Sequence, residues 1–456
     1  MRPLALSEIA GFTQGQLLGA GGPVLRVQTD SRALVKGDLF VCLRGERFDG
    51  HAFAGAAEAA DAAAVLVERR LPLRLPQILV EDSQRALGLL AAGVARGRRT
   101  RVFGLTGSNG KTSVKTLLAG MLAGVGSTHA NPGNFNNEIG LPLAVLNQPE
   151  DAEFAVYEMG AGAPGDIEWL ARIAKPRYSL VNNIGPAHLE RMGSLLGIAE
   201  TKGAIYRELP EDGVAVINAD DAFAPLFRQM AAPRRVLSFG LEHGAEVSAS
   251  ALRGDAGGSR FRLHSPAGSL ELRLPLPGRH NVMNALAASA MALAAGIDLI
   301  HIAQGLERAE GVAGRLSLRQ HPSGASIIDD SYNANPGSLQ AAIDTLASGP
   351  EQGWLVLGDM RELGADAEAL HADMGLRARS AGIARLLTVG ELAAAASRAF
   401  GAGGEHFDSQ AQLAEHLRPL LGSGVCVLVK GSRGSRMERV VAALFDDAPT
   451  GGPHAA

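Results

Sequence analysis

Residues 103–118 read FGLTGSNGKTSVKTLL. An apolar run ends at Thr106, a glycine turn follows, and a helix-compatible segment opens at Lys111. The common phosphate-loop spelling requires a glycine five residues before Gly110, where this chain has Leu105, so the motif is a shorter form, Gly107-Ser108-Asn109-Gly110-Lys111-Thr112. Strand, loop and helix nevertheless come in the order such a loop needs. A sharp turn at Gly107 that enters a helix at Gly110 aims several backbone N–H groups and the positive end of the helix at one spot, which suits a phosphate. Lys111 would reach the terminal phosphates of a nucleotide, and the Thr112 hydroxyl, with Ser113 beside it, could ligate a magnesium ion bridging them. The alternative is an ordinary strand-to-helix turn that happens to contain glycine and lysine.

Outward from the loop the pattern is one of apolar strands separated by helical segments. FAVYEM (154–159), YSLVNNI (178–184) and GVAVIN (213–218) follow the strand RVFGLT, and this alternation predicts a mostly parallel, doubly wound sheet. Residues 258–276 alternate instead like a hairpin, and an alanine-rich helix follows GRHNVMN. Beyond EGVAGR (310–315) a second series begins, with strands at ASIIDD (325–330), WLVLGD (354–359), ARLLTVG (384–390) and VCVLVKG (425–431), which reads as a Rossmann-like C-terminal domain. Before the loop, DLFVCL (38–43), AAVLVE (63–68) and QILVE (77–81), with a small-residue helix over 52–61, indicate a small α/β domain. ARGRRTR (95–101) reads as a linker. The expectation is an α/β chain of three domains, 1–98, 99–312 and 313–456, the central one built on a doubly wound P-loop ATPase-like sheet. The last eleven residues, DDAPTGGPHAA, have nothing to bury and are expected to fray.

Bulk properties agree with several packed cores. The 456 residues are 46% hydrophobic, and a formal charge of −4 spread over mixed acids and bases gives no reason to expect nucleic acid as a partner. Cys42 and Cys426 lie in apolar segments without C-x-x-C spacing, so they read as buried thiols rather than a disulfide or zinc site. The N-terminus lacks the apolar core of a signal peptide, and the run ALGLLAAGVA (86–95) is too short for a bilayer. A cytoplasmic, monomeric protein without a membrane span is expected.

A magnesium site needs carboxylates. Glu158 ends an otherwise apolar strand, where open α/β sheets place ligand groups and where a carboxylate is costly unless it meets a cation. His188, in NNIGPAHLE, also follows a strand directly, although a lone histidine there is more often structural.

Together these segments resemble the Mur ligases, ATP-dependent amide-bond-forming enzymes of peptidoglycan synthesis. The resemblance runs from TDSRALVKGDLFVCLRGERFDGHAF to LVKGSRGSRMERVV. That family uses the short loop. The resemblance implies ATP contacts from Gly107 to Ser113. It also implies a magnesium carboxylate at Glu158 in EMGAGAPGDI, and a second metal-associated residue at His188 in NNIGPAHLERMGS. Lys202, in AETKGAIY, matches a lysine that the family converts with CO2 to a carbamate, a carboxylate-like anion able to ligate a second magnesium ion. Asn281 in GRHNVMNALAA would read adenine, or would simply cap a helix; Arg315 would reach the γ-phosphate and Asp330 the ribose. Tyr332, Asn333 and Asn335, in DDSYNANPGSL, become candidates for the incoming amine component. Ser31, Arg32, Phe48 and Asp49 resemble the segments that hold the UDP-sugar. Asn131 departs from the threonine common there, which puts that side chain's contact in question.

LGDMRELG (357–364) and DDSYNANP point to the branch that joins D-alanyl-D-alanine to UDP-N-acetylmuramoyl-tripeptide. The implied chemistry is phosphoryl transfer from ATP to the peptide carboxylate, with Lys111, Lys202, His188 and Arg315 as catalytic residues, followed by attack of the dipeptide amine. A related ligase with another amino acid, a folylpolyglutamate-synthase-like ligase, and a P-loop kinase or regulator are the competing readings. The third domain is expected to close over the nucleotide.

Overall fold

The computed structural model describes residues 1–45, 48–186, 189–255, 257–349 and 352–446. The tail expected to fray lies, from residue 447 on, outside the described residues.

Three larger sheets follow one another along the chain. The first has five strands in the order Gln16–Leu18, Gln77–Leu79, Ala64–Val67, Asp38–Val41, Arg26–Gln28, parallel except for the antiparallel Gln16–Leu18. The second has six parallel strands in the order Arg235–Phe239, Val214–Asn218, Tyr178–Val181, Arg101–Thr106, Phe154–Glu158, Thr128–Ala130. The third has Ser317–Gln320 antiparallel at one edge, then Ser326–Asp330, Val425–Lys430, Gln352–Gly358, Arg385–Val389 and Gly404–Phe407 in parallel. A smaller antiparallel sheet, Ser248–Asp255, Gly258–Ser265 and Gly268–Leu274, contains the expected hairpin plus one unannounced strand.

The central strands read as continuous apolar runs because both faces are covered. Successive side chains serve different cores. Phe154 and Val156 join the helix Lys111–Ala123, the helix Arg279–Ala294 and the small sheet, whereas Ala155 and Tyr157 face a core shared with the first domain. That shared core says how residues 95–101, read from their polarity as a linker, join the two domains. The helix Ser83–Ala95 packs on the central domain, and the buried Arg98 guanidinium donates to Val145 O (2.6 Å) and Gln148 O (3.1 Å) and pairs with Glu150 (3.0 Å). The polarity of the segment ties two domains together instead of solvating a hinge.

Two features of chain order position the site. From Arg101–Thr106 the chain goes to the edge strand Thr128–Ala130 and returns to fill the gap with Phe154–Glu158, then builds outward on the other side from Tyr178–Val181, so its switch point lies beside the first strand. Ligand crevices in such sheets open at the carboxyl ends of the strands flanking that point. The carboxyl ends of Ser326–Asp330 and Val425–Lys430 in the third sheet line the same crevice.

Candidate active site

The loop at 107–110 takes its shape from glycine and from asparagines on neighbouring strands. Gly107 has φ +154° and Gly110 φ +77°; a Cβ on Gly110 would lie 2.3 Å from Asn284 Oδ1 and 2.6 Å from Asn182 Nδ2, so only glycine fits. Strand Tyr178–Val181 stops short of the expected 184, and Asn182 and Asn183 leave the sheet to hold the loop. Asn183 Oδ1 accepts from Asn109 N (2.8 Å), Asn183 O accepts from Ser108 N (2.9 Å), and Asn182 Nδ2 donates to Asn109 O (3.0 Å). Ser108 Oγ donates to Gly185 O (3.0 Å).

Lys111 folds back, its Nζ donating to Gly107 O at 2.7 Å, and burial lowers its ammonium below the ordinary lysine range. Thr112 Oγ1 donates to Glu158 Oε2 (2.8 Å) and accepts from Arg315 Nη2 (2.9 Å). Glu158 is only 2% exposed. Burial pushes its carboxyl up, but Lys111, Lys115, Thr112 and Asn136 together outweigh that push and hold it below the usual carboxylate range. Lys115 Nζ lies 3.5 Å from Glu158 Oε2, and Asn136 Nδ2 donates to Oε1 at 2.8 Å. The departure at Asn131 has a structural job: its amide bonds Glu158 O (3.0 Å) and accepts from Glu158 N (2.9 Å), clamping the backbone that carries the carboxylate.

Lys202 is 1% exposed and lines the same cleft without a hydrogen-bond partner among the described residues. Burial, then the nearby Lys111 charge, pulls its ammonium down from 10.5 to about 7. From the third domain, Asp330 pairs with Lys430 Nζ (2.5 Å), Arg315 lies 4.4 Å over the Tyr332 ring, and Asn335 Nδ2 donates to Asn109 Oδ1 (2.8 Å). Burial pushes the Asp330 carboxyl above its ordinary value, against the pull of Lys430 and Arg315. Asn335 caps the helix Pro336–Ala347 in a capping box, and Asn333 O accepts from Lys430 (3.0 Å). The third domain is thus already seated on the loop.

Ser108, Lys111, Glu158, Lys202, Arg315 and Asp330 line one cleft of about 1120 Å³, which also takes in Ser113 and Asn281, while Thr112 and Lys115 are joined to it through Glu158. Asn281 does not cap its helix as one reading expected; the cap is Gly278, and Asn281 Nδ2 donates back to Pro277 O (2.7 Å). His188 lies outside the described residues. Ser31, Arg32, Phe48 and Asp49 do not reach this cleft. They follow two adjacent parallel strands at the carboxyl edge of the first sheet, with Arg32 paired to Asp30 (2.7 Å) and Asp49 to Arg69 (2.9 Å) and His51 (2.6 Å). The same edge continues into Asp82 and Arg85, which do line the cleft. Lys115, Asn182, Asn183 and Lys430 escaped the sequence reading, although Lys115 follows Lys111 by one helical turn and Lys430 ends an apolar strand.

The oxygens of Thr112 and Glu158 are hard donors of the class magnesium takes. Among the described residues no three His, Cys, Asp or Glu side chains gather into a metal cage. Magnesium that keeps waters and substrate phosphates needs only one or two carboxylates.

Comparison with known proteins bears on the family and the fold. Family models match at residues 24–94 (Mur ligase family, catalytic domain), 105–292 (Mur ligase middle domain) and 314–433 (Mur ligase, glutamate ligase domain). The chain is 43% identical over 450 residues to the UDP-N-acetylmuramoyl-tripeptide--D-alanyl-D-alanine ligase of Escherichia coli (strain K12), covering 98% of this chain and 99% of that one. To the enzyme of the same name from Bacillus subtilis (strain 168) it is 38% identical, over 92% and 93% of the two chains. Its fold superposes on a crystal structure of MurF from Acinetobacter baumannii with TM-score 0.94 at 35% identity, covering 98% and 100% of the chains. A MurF ligase from Thermotoga maritima in complex with ADP gives TM-score 0.83 at 30% identity over 92% and 97%. With its three larger sheets in series, its short phosphate loop and full-length relatives at this identity, the chain belongs to the Mur ligase family.

Proposed function

We propose that the chain is an ATP-dependent ligase that joins D-alanyl-D-alanine to UDP-N-acetylmuramoyl-tripeptide in peptidoglycan precursor synthesis. One observation carries the reading: the phosphate loop, the ionised Glu158, the buried Lys202 and the third-domain Arg315 and Asp330 share a single cleft. The full-length relatives of that name support the choice of substrates.

A carboxylate repels nucleophiles, so the tripeptide's terminal acid must be activated first. Its oxygen attacks the γ-phosphorus of ATP, ADP departs, and an acyl phosphate forms. Lys111 and Arg315 would stabilise the transferring phosphoryl oxygens, and the loop N–H groups would hold the remaining phosphates. Thr112 and Glu158 would hold magnesium, joined by His188 and by Lys202 in its carbamate form. When bound, the ion would offset the crowding of negative oxygens. A neutral Lys202 amine can attack CO2 at carbon and lose a proton to water, so the depressed ammonium is what carbamate formation requires. The dipeptide amine then attacks the acyl carbon, loses its proton, and the tetrahedral intermediate expels orthophosphate. Asn281 and Asp330 would hold adenine and ribose, Tyr332, Asn333 and Asn335 would border the dipeptide, and Ser31, Arg32, Phe48 and Asp49 would hold the UDP-sugar. Closure by the third domain keeps water from the acyl phosphate.

No helix among the described residues is long and apolar enough to cross a membrane. A monomer working in the cytoplasm, with domain boundaries near residues 98 and 312, completes the reading. Mass spectrometry of the product from the tripeptide nucleotide, ATP and D-alanyl-D-alanine tests it. One amide and one orthophosphate per turnover are expected; a phosphorylated product without an amide, as a kinase would make, overturns it.

A further inference from the structure

Among the described residues four arginines line the cleft, and two of them are already engaged: Arg315 with Thr112, and Arg433 with Glu438 at 3.7 Å. Arg85 and Arg191 have no side-chain oxygen partner among the described residues. Arg85 opens the helix Ser83–Ala95 of the first domain and lies 5.7 Å over the Trp169 ring. Trp169 packs so tightly on that helix that a Cβ at Gly88 would lie 2.5 Å from it, which fixes the platform under Arg85. Arg191 sits on the short helix Leu189–Met192, with its Nη1 3.4 Å from where a Cβ on Gly162 would stand, above the loop that leaves Glu158. A side chain at 162 would crowd that guanidinium.

Resting on the ligase reading above, we propose that Arg85 and Arg191 receive the two carboxylates of the tripeptide that are not activated. The enzyme therefore prefers a third residue bearing a second carboxylate, as diaminopimelate does, over one ending in an amine alone, as lysine does. A substrate whose nucleotide lies at the first sheet and whose reacting carboxylate lies at the phosphate loop crosses Arg85 before Arg191. Arg85 then meets the free carboxylate of the second residue, which both substrates share. Arg191, beside the loop after Glu158, meets the distal carboxylate of the third, which only the diaminopimelate form has. A guanidinium that stays solvated when unpaired gives moderate discrimination, about ten- to a hundredfold in kcat/KM, because the competitor lacking the carboxylate leaves it in water instead of burying it.

The test measures kcat and KM for both tripeptide nucleotides with the full chain, Arg191→Met, Arg191→Lys and Arg85→Met. Within one preparation the ratio of kcat/KM for the two substrates does not depend on how much of the protein is folded. The unaltered chain is expected to favour the diaminopimelate substrate by about ten- to a hundredfold. Arg191→Met should erase that ratio through KM for the diaminopimelate form alone, Arg191→Lys should restore part of it, and Arg85→Met should raise KM for both substrates. Equal use of the two by the unaltered chain, or a ratio unmoved in Arg191→Met, overturns the assignment while leaving the ligase reading intact. Amide formation with neither nucleotide overturns both.

Discussion

Replacing Lys202 with methionine tests the electrostatics of the cleft directly. The side chain is 1% exposed, and burial with the neighbouring Lys111 charge takes its ammonium from 10.5 to about 7. At pH 7 about half the amines are then neutral, against roughly one in three thousand for an ordinary lysine. The same displacement has a cost in stability. Between the folded value near 7 and the unfolded value near 10.5 the unfolded chain binds the extra proton, so stability rises with pH across that window. Above it both states are neutral and nothing is lost; below it the full cost applies, roughly 4–5 kcal/mol at about 1.4 kcal/mol per pH unit. Lys202→Met keeps the apolar stem and removes the titration. In CO2-free buffer its urea midpoint should exceed that of the unaltered chain most at pH 7 and below, and the gap should close as pH rises toward 10. Bicarbonate should narrow the gap by stabilising the unaltered chain only, and the variant should have lost most ligase activity. Parallel midpoint curves from pH 7 to 10 would refute the argument that this amine is strained by burial.

Lys111→Ala should lower turnover by at least about a hundred- to a thousandfold, since it removes a charge aimed at the transferring phosphoryl group; a normal rate in a coupled phosphate-release assay would sink the ATP site. Gly110→Ala should abolish detectable binding of an ATP analogue by calorimetry. A left-handed φ of +77° costs an alanine about 1–2 kcal/mol, and its Cβ would displace Asn284 and Asn182 from the loop. Arg98→Ala should cost about 2–4 kcal/mol of stability by urea denaturation while leaving KM for ATP unchanged, because it unfastens the first domain's helix from buried carbonyls far from the phosphates. Asn335→Ala loses the bond to Asn109 and should enlarge the ligand-free particle in small-angle scattering, with ATP analogue and tripeptide nucleotide together reversing the change; identical profiles for variant and unaltered chain would show that this contact does not hold the domains closed.

The limits of the sequence reading are physical. Besides Ser248–Asp255 in the small sheet, the strands it did not announce are the outermost ones of the three larger sheets: Gln16–Leu18 and Arg26–Gln28, Thr128–Ala130 and Arg235–Phe239, Ser317–Gln320 and Gly404–Phe407. Most of these outermost strands are only three or four residues long and carry no continuous buried run, since an edge strand is covered on fewer sides; Arg235–Phe239, five residues with its first two positions not buried, is the longest of them. Interior strands such as Phe154–Glu158, buried at every position, could be read directly.

The site divides in the same way. What the chain determines by itself is local: a strand, a glycine turn and a helix in series shape an anion-binding loop whatever surrounds it, because backbone N–H direction follows from φ and ψ within a few residues. What only the tertiary structure decides is which distant charges meet there. Arg315 reaches Thr112 across 203 positions, Asn182 and Asn183 brace a loop more than 70 residues earlier, and Lys430 answers Asp330 from 100 residues away. Periodicity encodes which side chains are buried, but a buried charge is stabilised by whichever opposite charge the packing brings within a few ångströms, and no spacing along the chain records that distance.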